Sequence, residues 1–113
     1  MISTFLKSKL HMGTVTACEL WYDGSIAIDE DLVNAAGMQE YEQIDVYNAT
    51  NGKRWTTYII LAPKGSGVIS VNGPGARNAM EGDRVVLCTY VATESLSYTP
   101  NQKYLNTDNT IIE

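Results

Sequence analysis

The sequence predicts a mostly β domain, a compact barrel of about six or seven short strands with one or two short helices. Three observations predict it. Runs rich in β-branched and aromatic residues alternate with Gly, Asn, Asp and Pro breaks along most of the chain. Asn51-Gly52 stands between two such runs as a hairpin turn. Only the stretch after Asp29 carries a full set of helix signals.

The elements follow in order. Ile2 to His11 is a mixed apolar and polar run, expected as an edge or interface strand, and Thr14 to Leu20 is a β-branched strand. Asp23-Gly24-Ser25 turns the chain, and Ile26 to Ile28 resumes a short strand. Asp29 reads as an N-cap with Glu30 and Asp31 in the first turn, where negative charge suits the helix dipole. Leu32, Val33, Ala35 and Ala36 form its apolar face, and Gly37 is the C′ glycine. Gln43–Ala49 and Arg54–Leu61 form the hairpin, and Val68–Val71 is another strand. A helical turn is expected over Ala76–Met80, followed by the strongest strand, Arg84–Val91. After Thr93 the pattern fades, which predicts a loosely packed or partner-dependent tail over residues 94–113.

A chain of 113 residues fits one domain, residues 1–113, large enough for its own core. The net charge of −5 argues against a nucleic-acid partner, since an acidic surface repels phosphates. No apolar run approaches the ~20 residues of a membrane helix. Met1–Met12 lacks the continuous apolar core of a signal peptide, so a cytoplasmic location is expected. Cys18 and Cys88 fall in strand-like stretches and read as buried free thiols. One histidine and two separated cysteines give no support to a metal site.

Several residues carry chemical potential. A serine after a glycine in a sharp turn, as at Gly24-Ser25, is ordinary on its own, yet it can bring its Oγ onto the preceding carbonyl. Attack there exchanges amide for ester. Elimination and hydrolysis then leave a pyruvoyl group. Lys9 and His11, at i and i+2, share one strand face, and so do Arg54 and Tyr58 at i and i+4. Arg54 suits a carboxylate, and Tyr58 holds a donatable proton at neutral pH. Thr57 falls on the opposite face, so a common pocket needs a twist, a bulge or two subunits. Asn72-Gly73-Pro74-Gly75-Ala76 is either a plain loop or a backbone nest for an anion.

As an ordered set these residues resemble the pyruvoyl-dependent aspartate 1-decarboxylase family. The matching positions are Lys9-Leu10-His11, Thr14-Val15-Thr16, Tyr22 through Asp29, Asn51 through Tyr58, Val71-Asn72-Gly73, Ala76-Arg77 and Gly82-Asp83. They span roughly residues 1 to 92 in consistent order. The resemblance implies a six-stranded double-psi β-barrel, assembled as a homotetramer with sites between subunits. It implies self-cleavage into 1–24 and 25–113, with a covalent pyruvoyl cofactor made from Ser25 and no metal. The implied reaction converts L-aspartate to β-alanine and carbon dioxide, for pantothenate and coenzyme A. Thr57 would stabilise the oxyanion at Gly24 during cleavage, and Tyr58 would return a proton to the substrate carbon. Arg54 and Lys9 would bind carboxylates, with His11, Tyr22 and Asn72 lining the pocket. Backbone at Gly73, with Pro74 and Gly75, would hold a carboxylate. Some members need an accessory maturation factor, which stands here as an open partner.

Two positions depart from the family pattern. Arginine and a small residue usually follow the Lys-x-His motif, where this chain has Met12-Gly13. Two alanines usually follow Asn-Gly, where it has Pro74-Gly75. Proline lacks an N–H and glycine loosens the loop, so weaker or altered substrate binding is expected, with cleavage itself less affected. Two other functions compete: a non-catalytic barrel serving as a binding module, and a decarboxylase of a different acidic amino acid.

Overall fold

The computed structural model describes residues 1–113. It is mostly β. Eight strands form it: β1 Ser3–Thr14, β2 Ala17–Glu19, β3 Ser25–Asp29, β4 Gln43–Asn48, β5 Arg54–Ala62, β6 Ile69–Asn72, β7 Arg84–Thr93 and β8 Asn101–Tyr104. One short helix, α1 (Glu30–Ala35), and one 3-10 turn (Gly73–Asn78) complete the chain. The expected six or seven strands thus become eight, the added one coming from the tail.

The strands pair in the order β2-β6-β3-β5-β4-β7-β1-β8. This order is open, but β1 and β2 near its two ends are one stretch of chain broken only at Val15–Thr16. There the backbone changes partners. Val15 N–H donates to the Asp83 carbonyl at 2.8 Å, and Thr16 N–H donates to that of Ile69 at 2.8 Å. The chain itself therefore curls the sheet into a barrel-like shell.

Alternation decides what fills the shell. Ile26 and Ile28 of β3 turn inward, and Ile26 faces Ile59 of β5 and Val71 of β6 in register. Val46 of β4 meets Leu87 of β7, which meets Leu10 of β1. All six paired side chains are fully buried, each stabilising the fold by roughly 1.5–3 kcal/mol relative to exposure.

The helix forms as its sequence signals predict. The Asp29 carboxylate accepts from Asp31 N at 2.8 Å, and Gly37 adopts φ +70° just beyond the last turn. Asp29 also accepts from Gly65 N and Gly67 N, which ties the loop before β6 to the helix start. The second helical turn comes three residues earlier than expected, at Gly73.

The tail is not loose, contrary to expectation. Residues 94–100 form no strand, but β8 runs parallel to Ser8–His11 of β1 and covers that edge. Leu105 is buried in the core, and Asn109, at φ +64°, clamps two segments. Its side chain accepts from Thr14 N at 2.7 Å and donates to the carbonyls of Thr14 and Gly67 at 2.9 and 2.8 Å. Backbone pairing and one asparagine hold this segment, which is why no hydrophobic period marks it.

Candidate active site

Ser25 opens β3 directly after an exposed turn in which the Trp21 side chain is 93% solvent-accessible. Ser25 itself is only 2% exposed and lies opposite Asn72 in antiparallel register. The Asn72 amide donates to Ser25 Oγ at 3.2 Å, and Ser70 Oγ donates to Asn72 Oδ1 at 2.9 Å. Ser25 Oγ also makes a long 3.4 Å contact as donor to the Asp23 carbonyl. Ser70 thus orients the amide that orients Ser25. Sequence reasoning missed Ser70, although its i, i+2 spacing from Asn72 puts both on one face.

Backbone meets backbone beside this serine. Gly73 adopts φ +74°, and a Cβ there would stand 2.6 Å from Gly24 Cα and 3.0 Å from the Tyr22 carbonyl oxygen. Only glycine satisfies both demands. Pro74 follows in the first turn of the 3-10 segment, where a missing N–H leaves no helical bond unmade. Gly75, expected to loosen the loop, is instead packed against Trp55: a Cβ would lie 2.7 Å from the indole Nε1. That segment is a tight turn.

β5 pairs with β4 without a register shift from Arg54 to Tyr58, so simple alternation holds. Arg54 and Tyr58 share the outer face, while Thr57 points the other way and is half-buried. Tyr58 precedes Ile59, the partner of Ile26 in parallel pairing, and so lies on the outer face one residue before that register begins. The predicted pairing of Arg54 with Tyr58 is found. Thr57 is not brought to their face.

Lys9 and His11 share the outer face of β1, half-buried beside Tyr104 of β8. The Lys9 ammonium lies 5.5 Å from the Tyr104 ring centroid, and the His11 ring meets the same ring edge-on at 5.3 Å. A bulge between Leu10 and Gly13 follows, with Met12 at φ +63°. Arg84 of β7 donates from Nη2 to the Met12 carbonyl at 2.6 Å. A guanidinium therefore stands beside the position where the family pattern has arginine. Burial, then the charges of Lys9 and Arg84, push the His11 pKa below 6.5. Tyr104 and Arg84 escaped the sequence reading, one lying in a patternless tail and the other at a strand start.

No hydrogen bond or ion pair joins these two groups within the chain. In the pairing order β5, β4 and β7 stand between β3 and β1, while the curl of the sheet brings the end of β1 back against β6, where Gly13 faces Ile69. Ser25, Gly24, Tyr22, Asn72, Gly73 and Pro74 gather where β3 meets β6, and Lys9 and His11 lie on β1. Arg54 and Tyr58 stand on β5. Neither cavity of the chain, one beside Cys88 and Tyr90 and one beside Asp29 and Asp108, is lined by Ser25. Both cysteines are free, Cys88 buried and Cys18 half-buried, and burial raises both thiol pKa values. No three His, Cys, Asp or Glu side chains gather as metal ligands, and no helix is long and apolar enough to cross a membrane.

The whole chain resembles known proteins. A family model described as aspartate decarboxylase matches residues 1–112. An aspartate 1-decarboxylase of Cellvibrio japonicus is 57% identical over 112 residues, covering 96% of this chain and 89% of that protein. One from Marinomonas sp. is 54% identical, covering 96% and 88%, and one from Methylococcus capsulatus is 52% identical, covering 98% and 90%. With a match of this extent, the chain belongs to the aspartate decarboxylase family.

Proposed function

We propose that this chain cleaves itself between Gly24 and Ser25 and then decarboxylates L-aspartate to β-alanine and carbon dioxide. Membership of the family supports the reaction. The observation that carries it to these residues is Ser25, buried and hydrogen-bonded through Asn72 to Ser70, next to a Gly24 backbone pressed against Gly73.

Cleavage needs only the chain and one water. Ser25 Oγ adds to the Gly24 carbonyl carbon, and the C–N bond breaks to give an ester and the free amine of residue 25. Loss of the residue 25 Cα proton expels the Gly24 carboxylate. Hydrolysis of the resulting enamine releases ammonia and leaves a pyruvoyl group at residue 25. The Asn72 amide, donating to Oγ, sets the attacking oxygen's direction. A glycine at 24 leaves the approach to its carbonyl free of a side chain. Thr57 is assigned to the oxyanion at that carbonyl.

The cradle fits such a group, since the Asn72 amide faces residue 25 and no side chain crowds it from positions 24 or 73. A pyruvoyl group at residue 25 would supply a carbonyl able to take up the substrate amine and an electron sink for the carbon that loses carbon dioxide. Tyr58, on the outer face of β5, returns a proton to the substrate carbon. Arg54 and Lys9 bind the two carboxylates, His11 and Tyr22 border the pocket, and the backbone at Gly73-Pro74-Gly75 holds one carboxylate end. Neither Arg54 nor Lys9 belongs to the chain's two ion pairs, which are Lys7–Glu42 and Lys64–Glu30. Both cations therefore remain free for an anionic substrate.

No hydrogen bond within the chain joins Lys9 or His11 to Ser25, and in this reading a second copy supplies them. A homotetramer with shared sites meets that need. A cytoplasmic location and a place in pantothenate synthesis complete the reading. Borohydride reduction in the presence of aspartate, followed by peptide mass spectrometry, tests it. An adduct at residue 25 is expected, and unmodified Ser25 in a full-length chain would overturn it.

A further inference from the structure

Arg54 stands directly opposite Tyr47 in the β4–β5 pairing, and its guanidinium carbon lies 4.1 Å from the Tyr47 ring centroid. A guanidinium stacked on an aromatic face keeps its edge donors free while its plane is fixed. The Tyr47 ring is itself held. Its hydroxyl lies 2.6 Å from the Tyr90 hydroxyl and 3.4 Å from Asp45 Oδ2 as donor. Thr56 Oγ1 donates to the other oxygen of Asp45 at 2.6 Å. Burial and the bond to Tyr47 raise the Tyr90 pKa, so Tyr90 keeps its proton and the two hydroxyls share one hydrogen bond. Thr56, Asp45, Tyr47 and Tyr90 thus form one chain of hydrogen bonds behind an unpaired arginine.

We infer that Tyr47, braced by Tyr90 and Asp45, is a positioning residue that presets the Arg54 guanidinium for the substrate carboxylate. This rests on the reading of Arg54 as a carboxylate ligand. The alternative for a free arginine on a flexible stem is to search many rotamers, and that ordering cost falls on substrate binding. Tyr47 touches no reacting atom, so the effect belongs in KM and not in kcat.

Steady-state kinetics with L-aspartate on processed enzyme, with processing verified by intact mass, tests the inference. Tyr47→Leu is expected to raise KM roughly five-fold with kcat within about two-fold, a loss of the size of one partly exposed cation–π contact. Tyr47→Phe and Tyr90→Phe keep both rings and remove the hydroxyl pair, and each should raise KM about two-fold. They also serve if the leucine variant folds poorly. Adding Tyr47→Leu to Arg54→Gln should change KM no further. If Arg54→Gln alone leaves KM untouched, the carboxylate reading fails. If Arg54→Gln raises KM while the Tyr47 and Tyr90 variants do not, or if the double variant is additive, the positioning role is overturned and the carboxylate reading stands.

Discussion

Gly73 and Gly24 touch backbone to backbone: a Cβ on residue 73 would sit 2.6 Å from Gly24 Cα and 2.8 Å from Gly24 N. Two segments almost fifty residues apart in sequence thus define one wall of the cleavage site.

Gly73→Ala combines that clash with a left-handed φ, each unfavourable by on the order of 1–2 kcal/mol. The variant is expected to melt lower and to remain uncleaved. Denaturing electrophoresis should show only the full-length species, and two fragments at the normal rate would contradict this.

Ser70→Ala leaves the Asn72 amide without the hydroxyl that orients it, while Asn72→Ala removes the donor to Ser25 altogether. Loss of one such bond is worth about 1 kcal/mol. Ser70→Ala should slow fragment appearance roughly five-fold, and Asn72→Ala should slow it more. A time course by intact mass reads both.

The neighbouring departures separate cleanly. Pro74→Ala restores a backbone N–H near Gly24 and is expected to lower KM for aspartate with the fold intact. An unchanged or higher KM counts against that role. Gly75→Ala drives a Cβ to 2.7 Å from the Trp55 indole and should destabilise by about 1–3 kcal/mol. Thermal melts distinguish the two.

His11 is the chain's sole histidine, so its imidazole resonances report without assignment work. Burial, Lys9 and Arg84 disfavour its charged form, and its titration midpoint should fall below 6.5. Arg84→Met should raise that midpoint and Arg84→Lys should largely restore it. The unfolded chain binds this proton more readily than the native one. Stability therefore falls as pH drops through about 6.5 toward the native midpoint, and denaturant melts across that window should show the slope.

Asn109→Ala loses three hydrogen bonds to Thr14 and Gly67 and should cost about 2–3 kcal/mol. A melt within a degree of the parent would show that the tail is dispensable to stability.

The residue pattern by itself determined the β character, the α1 cap at Asp29, the hairpin at Asn51-Gly52 and the shared face of Arg54 and Tyr58. These follow from local rules: side-chain alternation, turn chemistry and capping act within a few residues. The ordered motif set likewise pointed to the family before any contact was known. Tertiary structure alone decided that Gly24 abuts Gly73, that Gly75 lies under Trp55, and that Asn72 faces Ser25. It also decided that the polar tail closes the β1 edge with Tyr104 beside Lys9 and His11. Such contacts join segments distant in sequence, and no hydrophobic period encodes them.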